Sequence, residues 1–114
     1  MGKVRSEARE EVVRSSGNVF ADLGLPDPDE RLTKAQLAVA INALLQRRRL
    51  AQTKAARQLS ISQPKVSALR NYKLDGFSVE RLMHFLTALD QDVEIMIRSK
   101  PRSRRSGRIV VNAA

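Results

Sequence analysis

The side chains best suited to chemistry in this sequence are Gln63, Pro64, Lys65, Ser67, Ala68 and Arg70, with Asn71 and Lys73 just beyond. They combine amide, hydroxyl and basic groups and include no carboxylate. An amide can donate to and accept from one adenine edge, a basic group can pair with phosphate, and a small side chain permits close approach. That inventory suits reading a DNA major groove, not making or breaking covalent bonds. His84 is the only histidine, and there is no cysteine. Neither a glycine-rich phosphate loop nor a His–carboxylate cluster occurs. Asp27, Asp29 and Glu30, like Asp90 and Asp92, read as capping and turn carboxylates. No enzymatic activity, cofactor or metal is therefore expected, and His84 is expected in a structural or surface position.

The elements needed to present those groups are legible in residues 50–69. Ala55, Ala56 and Leu59 share one helical face by their spacing. Ser60, Ile61 and Ser62 interrupt the pattern. Ser62 is a good N-cap for a second helix, and Pro64 falls in its first turn, where a missing N–H costs nothing. Val66 and Leu69 form the inward face of that second helix, and Ile61 is placed to lock the two helices together. This is a helix-turn-helix pattern. Charge supports it: the chain has 114 residues and a net charge of +9. Residues 31–74 contain no Asp or Glu, yet they include Arg31, Lys34, Arg47, Arg48, Arg49, Lys54, Arg57, Lys65, Arg70 and Lys73. An acid-free basic run across such a motif is the electrostatic footprint of a polyanion binder.

The flanking sequence predicts an all-α fold, a five-helix bundle with a short C-terminal β-strand. Residues 1–17 form a mobile arm whose thin apolar stripe, Val4, Ala8, Val12 and Val13, permits a helix over 6–14. Asn18 caps a short turn over 19–23 closed by Gly24, with Phe20, Leu23 and Leu25 as a staple onto the core. Asp27 as N-cap, Pro28 and a capping-box Glu30 open a long helix over 29–48. Leu37, Ile41, Leu44 and Leu45 form its stripe, extended by Leu32 and Ala40, and Arg47 to Arg49 meet its negative end. Residues 71–77 read as a loop. Ser78 caps a helix reaching about residue 89, with Leu82, Phe85, Leu86 and Leu89 inward. Val93, Ile95 and Ile97 alternate as in a strand over 93–97. Six basic residues among Ser, Gly and Pro over 98–108 read as a flexible tail, and Ile109 to Val111 as a second short strand or a frayed end. The domain thus spans 18–97, between an arm at 1–17 and a basic tail at 98–114. With no apolar run of membrane-spanning length and no signal segment, a cytoplasmic protein is expected.

Residues 50–69 resemble the helix-turn-helix of phage repressors and Cro, the XRE type. Gln52, Ala56, Ile61, Ser62, Gln63, Val66 and Leu69 carry the resemblance. It implies that Gln52 contacts phosphate and braces the recognition helix. It places Gln63, Pro64, Lys65 and Ala68 toward bases, and Ser67, Arg70 and Asn71 nearer the DNA backbone. Two positions depart from the pattern: Ser60 stands where Gly is usual, and Ala51 where Ser or Thr is usual. The wider sequence, NVFADLGLPDPDERLTKAQLA followed by the motif and DQDVEIMIR, looks like the HigA-like antitoxins paired with RelE/HigB-type toxins. That resemblance implies a protein that neutralises a toxin and represses its own operon.

One helix-turn-helix reads few base pairs, so a homodimer on two half-sites about 34 Å apart is expected. The strand over 93–97 is the predicted dimer contact, through Val93, Ile95 and Ile97. An intrachain hairpin with 109–111, or a strand held by a toxin, are the alternatives. Two other functions remain open on sequence alone. One is a standalone phage-type repressor without a toxin. The other is a non-specific RNA or nucleoid binder acting through the basic tail, against which the single tyrosine, Tyr72, weighs. The expected partners are double-stranded operator DNA, a second copy and a RelE/HigB-type toxin, with no membrane.

Overall fold

A computed structural model describes residues 18–113, and the helix expected over 6–14 lies outside them. The described chain forms α1 (Val19–Asp22), α2 (Pro28–Arg47), α3 (Gln52–Leu59), α4 (Gln63–Arg70) and α5 (Val79–Ala88). The long helix α2 is the centre and packs against α1, α4 and α5. A helix contacted on several sides must be apolar on several sides. Accordingly Ala35, Leu37, Ala38, Ile41, Leu44 and Leu45 are all buried, together with Thr33 and Asn42. Ala55, Ala56, Leu59, Val66, Leu69, Leu82, Phe85, Leu86 and Leu89 complete the expected aliphatic core. Phe77 joins them although it lies in the expected loop. It is 3% exposed and meets Phe85 edge-on, with ring centroids 5.8 Å apart.

Helix starts follow the expectations in part. Asn18 Oδ1 accepts from the Phe20 and Ala21 N–H groups at 3.0 and 3.4 Å, and Ser78 Oγ from the Arg81 N–H at 3.0 Å. Asp27, by contrast, takes a left-handed conformation (φ 48°) and makes no side-chain cap. Glu30 pairs with Lys34 at 3.8 Å instead of closing a capping box. Helix α2 is therefore opened by Pro28, whose fixed φ suits the first turn. Ser62 also precedes its helix without a side-chain cap bond. The apolar staple fails too: Leu23 and Leu25 are 69% and 38% exposed, and only Phe20 is half-buried.

All five described helices end in one hydrogen-bond arrangement, the Schellman motif. Its pair of bonds recurs as Gly24 to Ala21 with Leu25 to Phe20, Arg49 to Gln46 with Leu50 to Leu45, and Ser60 to Arg57 with Ile61 to Ala56. Tyr72 to Leu69 with Lys73 to Ala68, and Asp90 to Thr87 with Gln91 to Leu86, complete the set. The motif needs a left-handed residue, and Gly24, Arg49, Ser60, Tyr72 and Asp90 have φ between 53° and 70°. Only the first is glycine, so the chain bends tightly at four positions against the preference of an L side chain.

The predicted C-terminal strand is absent among the described residues. A strand needs a neighbouring backbone to share its N–H and C=O groups, and within one chain residues 93–97 meet none. Ile95, Met96 and Ile97 are 74%, 80% and 92% exposed. Val93 and Val111 are half-buried against the core. The Arg104 N–H donates to Pro101 C=O at 3.2 Å, and the Val111 N–H to Gln36 Oε1 at 3.4 Å. Residues 94–110 thus leave the body and return to it.

Candidate nucleic-acid interface

The interface is built on α3, α4 and the turn between them. Ala55 and Ala56 are buried at 0% and 8% exposure, and their small side chains let the two helices approach closely. Ser60 then reverses the chain at φ 58° and ψ 43°. Three side chains pin α4, two from outside it and one of its own. Gln52 Nε2 donates to Gln63 C=O at 3.0 Å, at the start of the helix. Asn42 Nδ2, from the middle of α2, donates to Leu69 C=O at 3.1 Å, at its end. The Arg70 guanidinium donates to Leu50 C=O, ahead of α3. Sliding or rotating α4 would break these bonds, so its outer face is held at a fixed angle to the body. The brace by Gln52 agrees with the expectation. Asn42 was not anticipated, and its only sequence signal is an amide lying beside Ile41 within the apolar pattern. Asn42 Oδ1 and the Tyr72 hydroxyl are buried without a partner among the described residues, each at a cost of roughly 1–3 kcal/mol.

The outer face is narrower than expected. Ser62, Gln63, Pro64 and Lys65 are exposed at the start of α4, and Asn71 and Lys73 beyond its end. Ala68 and Ser67 are half-buried, and Ala68 packs on the core cluster. Each residue turns a helix by about 100°, so Ala68 flanks the buried Leu69 and is drawn partly inward. Ala68 is thus a flanking residue, not a fully presented base contact. Arg70 is half-buried and its guanidinium is bonded to Leu50 C=O, a role within the fold beside the one expected near the DNA backbone. Asn71 Nδ2 donates to Ser67 C=O at 2.8 Å across the last turn. Lys65 Nζ sits 5.4 Å from the Phe77 ring centroid, an attraction that steadies the ammonium beside the following loop. Ser62 makes no side-chain cap, so the exposed start of α4 presents the positive end of its dipole, where phosphate binds well.

Several cations of the acid-free run serve the fold. Arg31 donates to Pro26 C=O at 2.7 Å and pairs with Asp75 at 3.4 Å. Arg48 donates to Leu89 C=O and lies 3.9 Å from Asp90, neutralising the end of α5. Arg47, Arg49, Lys54, Arg57, Lys65 and Lys73 stay exposed and outside the described ion pairs. They leave a positive field around α3 and α4. His84 is a surface residue, 3.7 Å from Glu80.

Comparison with known proteins agrees with this geometry. A family model described as a helix-turn-helix domain matches residues 19–98. A solved structure, described as a candidate XRE-family transcriptional regulator, is 67% identical, with a TM-score of 0.75. The match covers 78% of this chain and 100% of that one. The chain belongs to the XRE-type helix-turn-helix family. No curated protein matches it. As an XRE-type regulator it binds DNA, and α4 is the second helix of its helix-turn-helix. Its two departures from the family pattern are both visible. Ala51 leaves α3 without a side-chain cap, and Ser60 holds the left-handed position without being glycine. Neither touches the exposed face of α4. Among the described residues no helix is long and apolar enough to cross a membrane.

Proposed function

We propose that this XRE-type regulator is an autorepressor and antitoxin: it binds its own operator as a homodimer and neutralises a RelE/HigB-type toxin. The observation that carries the operator reading is the pinned recognition helix. Gln63, Pro64 and Lys65 project from a helix fixed at both ends on an acid-free surface. A preorganised face loses little conformational freedom on docking, which favours base reading over loose electrostatic contact. The antitoxin reading draws support from the resemblance in residues 18–38 and 90–98. The homodimer reading draws support from Val93, Ile95 and Ile97, which lie in an extended stretch without a ladder. A second copy of that stretch would satisfy its backbone groups in a two-fold, isologous contact. Co-expression with the product of the neighbouring reading frame tests the whole. A stable complex with a small basic RNase-like protein, and specific binding to DNA upstream of the pair, are expected. Operator binding with no co-purifying neighbour would reduce the protein to a standalone repressor.

A further inference from the structure

Residues 94–110 form an arm whose function the helix-turn-helix does not account for. Its base is fixed on both sides, by Val93 and Val111 against the core and by the bond from Val111 to Gln36. Its far end carries Arg98, Lys100, Arg102, Arg104, Arg105 and Arg108, and the sequence has no Asp or Glu after Glu94. Arg104 Nη1 donates to Ser106 C=O at 3.4 Å and shapes the bend, while the other five cations are exposed. We infer that this arm is a second DNA contact, gripping phosphates that flank the groove occupied by α4.

Three observations select DNA as the occupant. Between Arg98 and Arg108 only Ser, Pro and Gly separate the cations. Such a tip offers nothing apolar to bury and is a poor protein interface. Five of its six charges are arginine, whose planar fork matches phosphate oxygens. Arg98, Lys100 and Arg102 alternate along the chain, which in an extended backbone spaces charges by about 6.6 Å along one side. Nine residue steps separate the anchor at Val93 from the turn near Arg102, a reach of at most about 30 Å. That approaches one turn of duplex, about 34 Å, so the arm can meet phosphates that α4 cannot. The small Ser and Gly side chains also permit entry into a narrow minor groove, where arginine is favoured.

The inference rests on the DNA-binding reading, and the test separates the two. Full-length wild type is compared with a variant carrying Arg98→Ser, Lys100→Ser, Arg102→Ser, Arg105→Ser and Arg108→Ser. A second variant replaces the four arginines by lysine. The probe is a 30-base-pair duplex of mixed sequence, titrated from low to moderate salt. Each lost phosphate contact lowers the slope of log affinity against log salt by roughly 0.9. The serine variant should lose about 2–4 units of slope and bind at least about tenfold more weakly at low salt. The lysine variant should keep most of the slope. An unchanged slope in the serine variant, with duplex binding intact, overturns the arm contact. So does a serine variant that sediments differently from wild type, which would place the basic tip itself, and not only Ile95 and Ile97, between copies. Failure of wild type to bind the duplex at all would overturn the underlying DNA reading instead.

Discussion

Replacing Ser60 by glycine isolates the cost of the turn that sets the recognition helix. Ser60 sits at φ 58° and ψ 43°, with its own N–H bonded to Arg57 C=O at 3.3 Å and the next one to Ala56 C=O at 3.0 Å. Both bonds use the backbone alone, so Ser60→Gly keeps them. Its side chain is exposed and makes none of the described hydrogen bonds, so nothing is lost with it. Holding an L residue in this region costs roughly 1–2 kcal/mol. Glycine removes that cost, while its freer unfolded chain returns about 0.4–1 kcal/mol of it. The midpoints of these ranges leave a net gain of about 0.8 kcal/mol. For a domain of this size that raises Tm by roughly 2–8 °C. Thermal melts followed by circular dichroism would measure it, with urea unfolding at unchanged slope as the check. Ser60→Ala keeps the Cβ and should not share the gain. The same reasoning orders the other helix ends. Tyr72→Gly should destabilise, because it also removes a half-buried ring packed on the core. A Ser60→Gly protein that melts no higher than wild type would refute the argument.

Other substitutions probe the interface and the assembly. Gln63→Ala should cost about 1–3 kcal/mol on the preferred operator and relax preference at one base position; unchanged affinity and preference in titrations on shuffled sites would mean that another residue reads the groove. Arg70→Ala should lower stability by roughly 1–3 kcal/mol, since it strips a charged partner from Leu50 C=O; a melt equal to wild type with only a reduced salt slope would return Arg70 to the DNA backbone. Ile95→Pro should leave the monomer folded, because Ile95 is 74% exposed and in no ladder, yet abolish pairing between copies. Sedimentation that finds this variant still dimeric, or wild type monomeric at micromolar concentration, would remove the proposed contact.

The sequence by itself determined those parts of this protein in which each residue answers to its near neighbours. The stripe Leu37, Ile41, Leu44 and Leu45, the break at residues 60–62 and the inward pair Val66 and Leu69 all follow from helical spacing, and all are buried or turned as expected. The left-handed Ser60 was also within reach through the resemblance, because it stands where the XRE-type motif usually carries Gly. Tertiary structure decided whatever depends on residues far apart in the chain. Asp27 could cap α2 on local grounds, but in the fold its backbone is left-handed and its side chain makes no cap bond. Arg70 looked like a free cation until the fold brought Leu50 C=O to it from twenty residues away. Asn42 reaches Leu69 across 27 residues, a pairing that no local pattern encodes. Alternation at Val93, Ile95 and Ile97 announced a strand, yet a strand exists only where a second backbone lies beside it. Spacing reports which side of an element is apolar. It cannot report whether a partner for that side is present in the same chain.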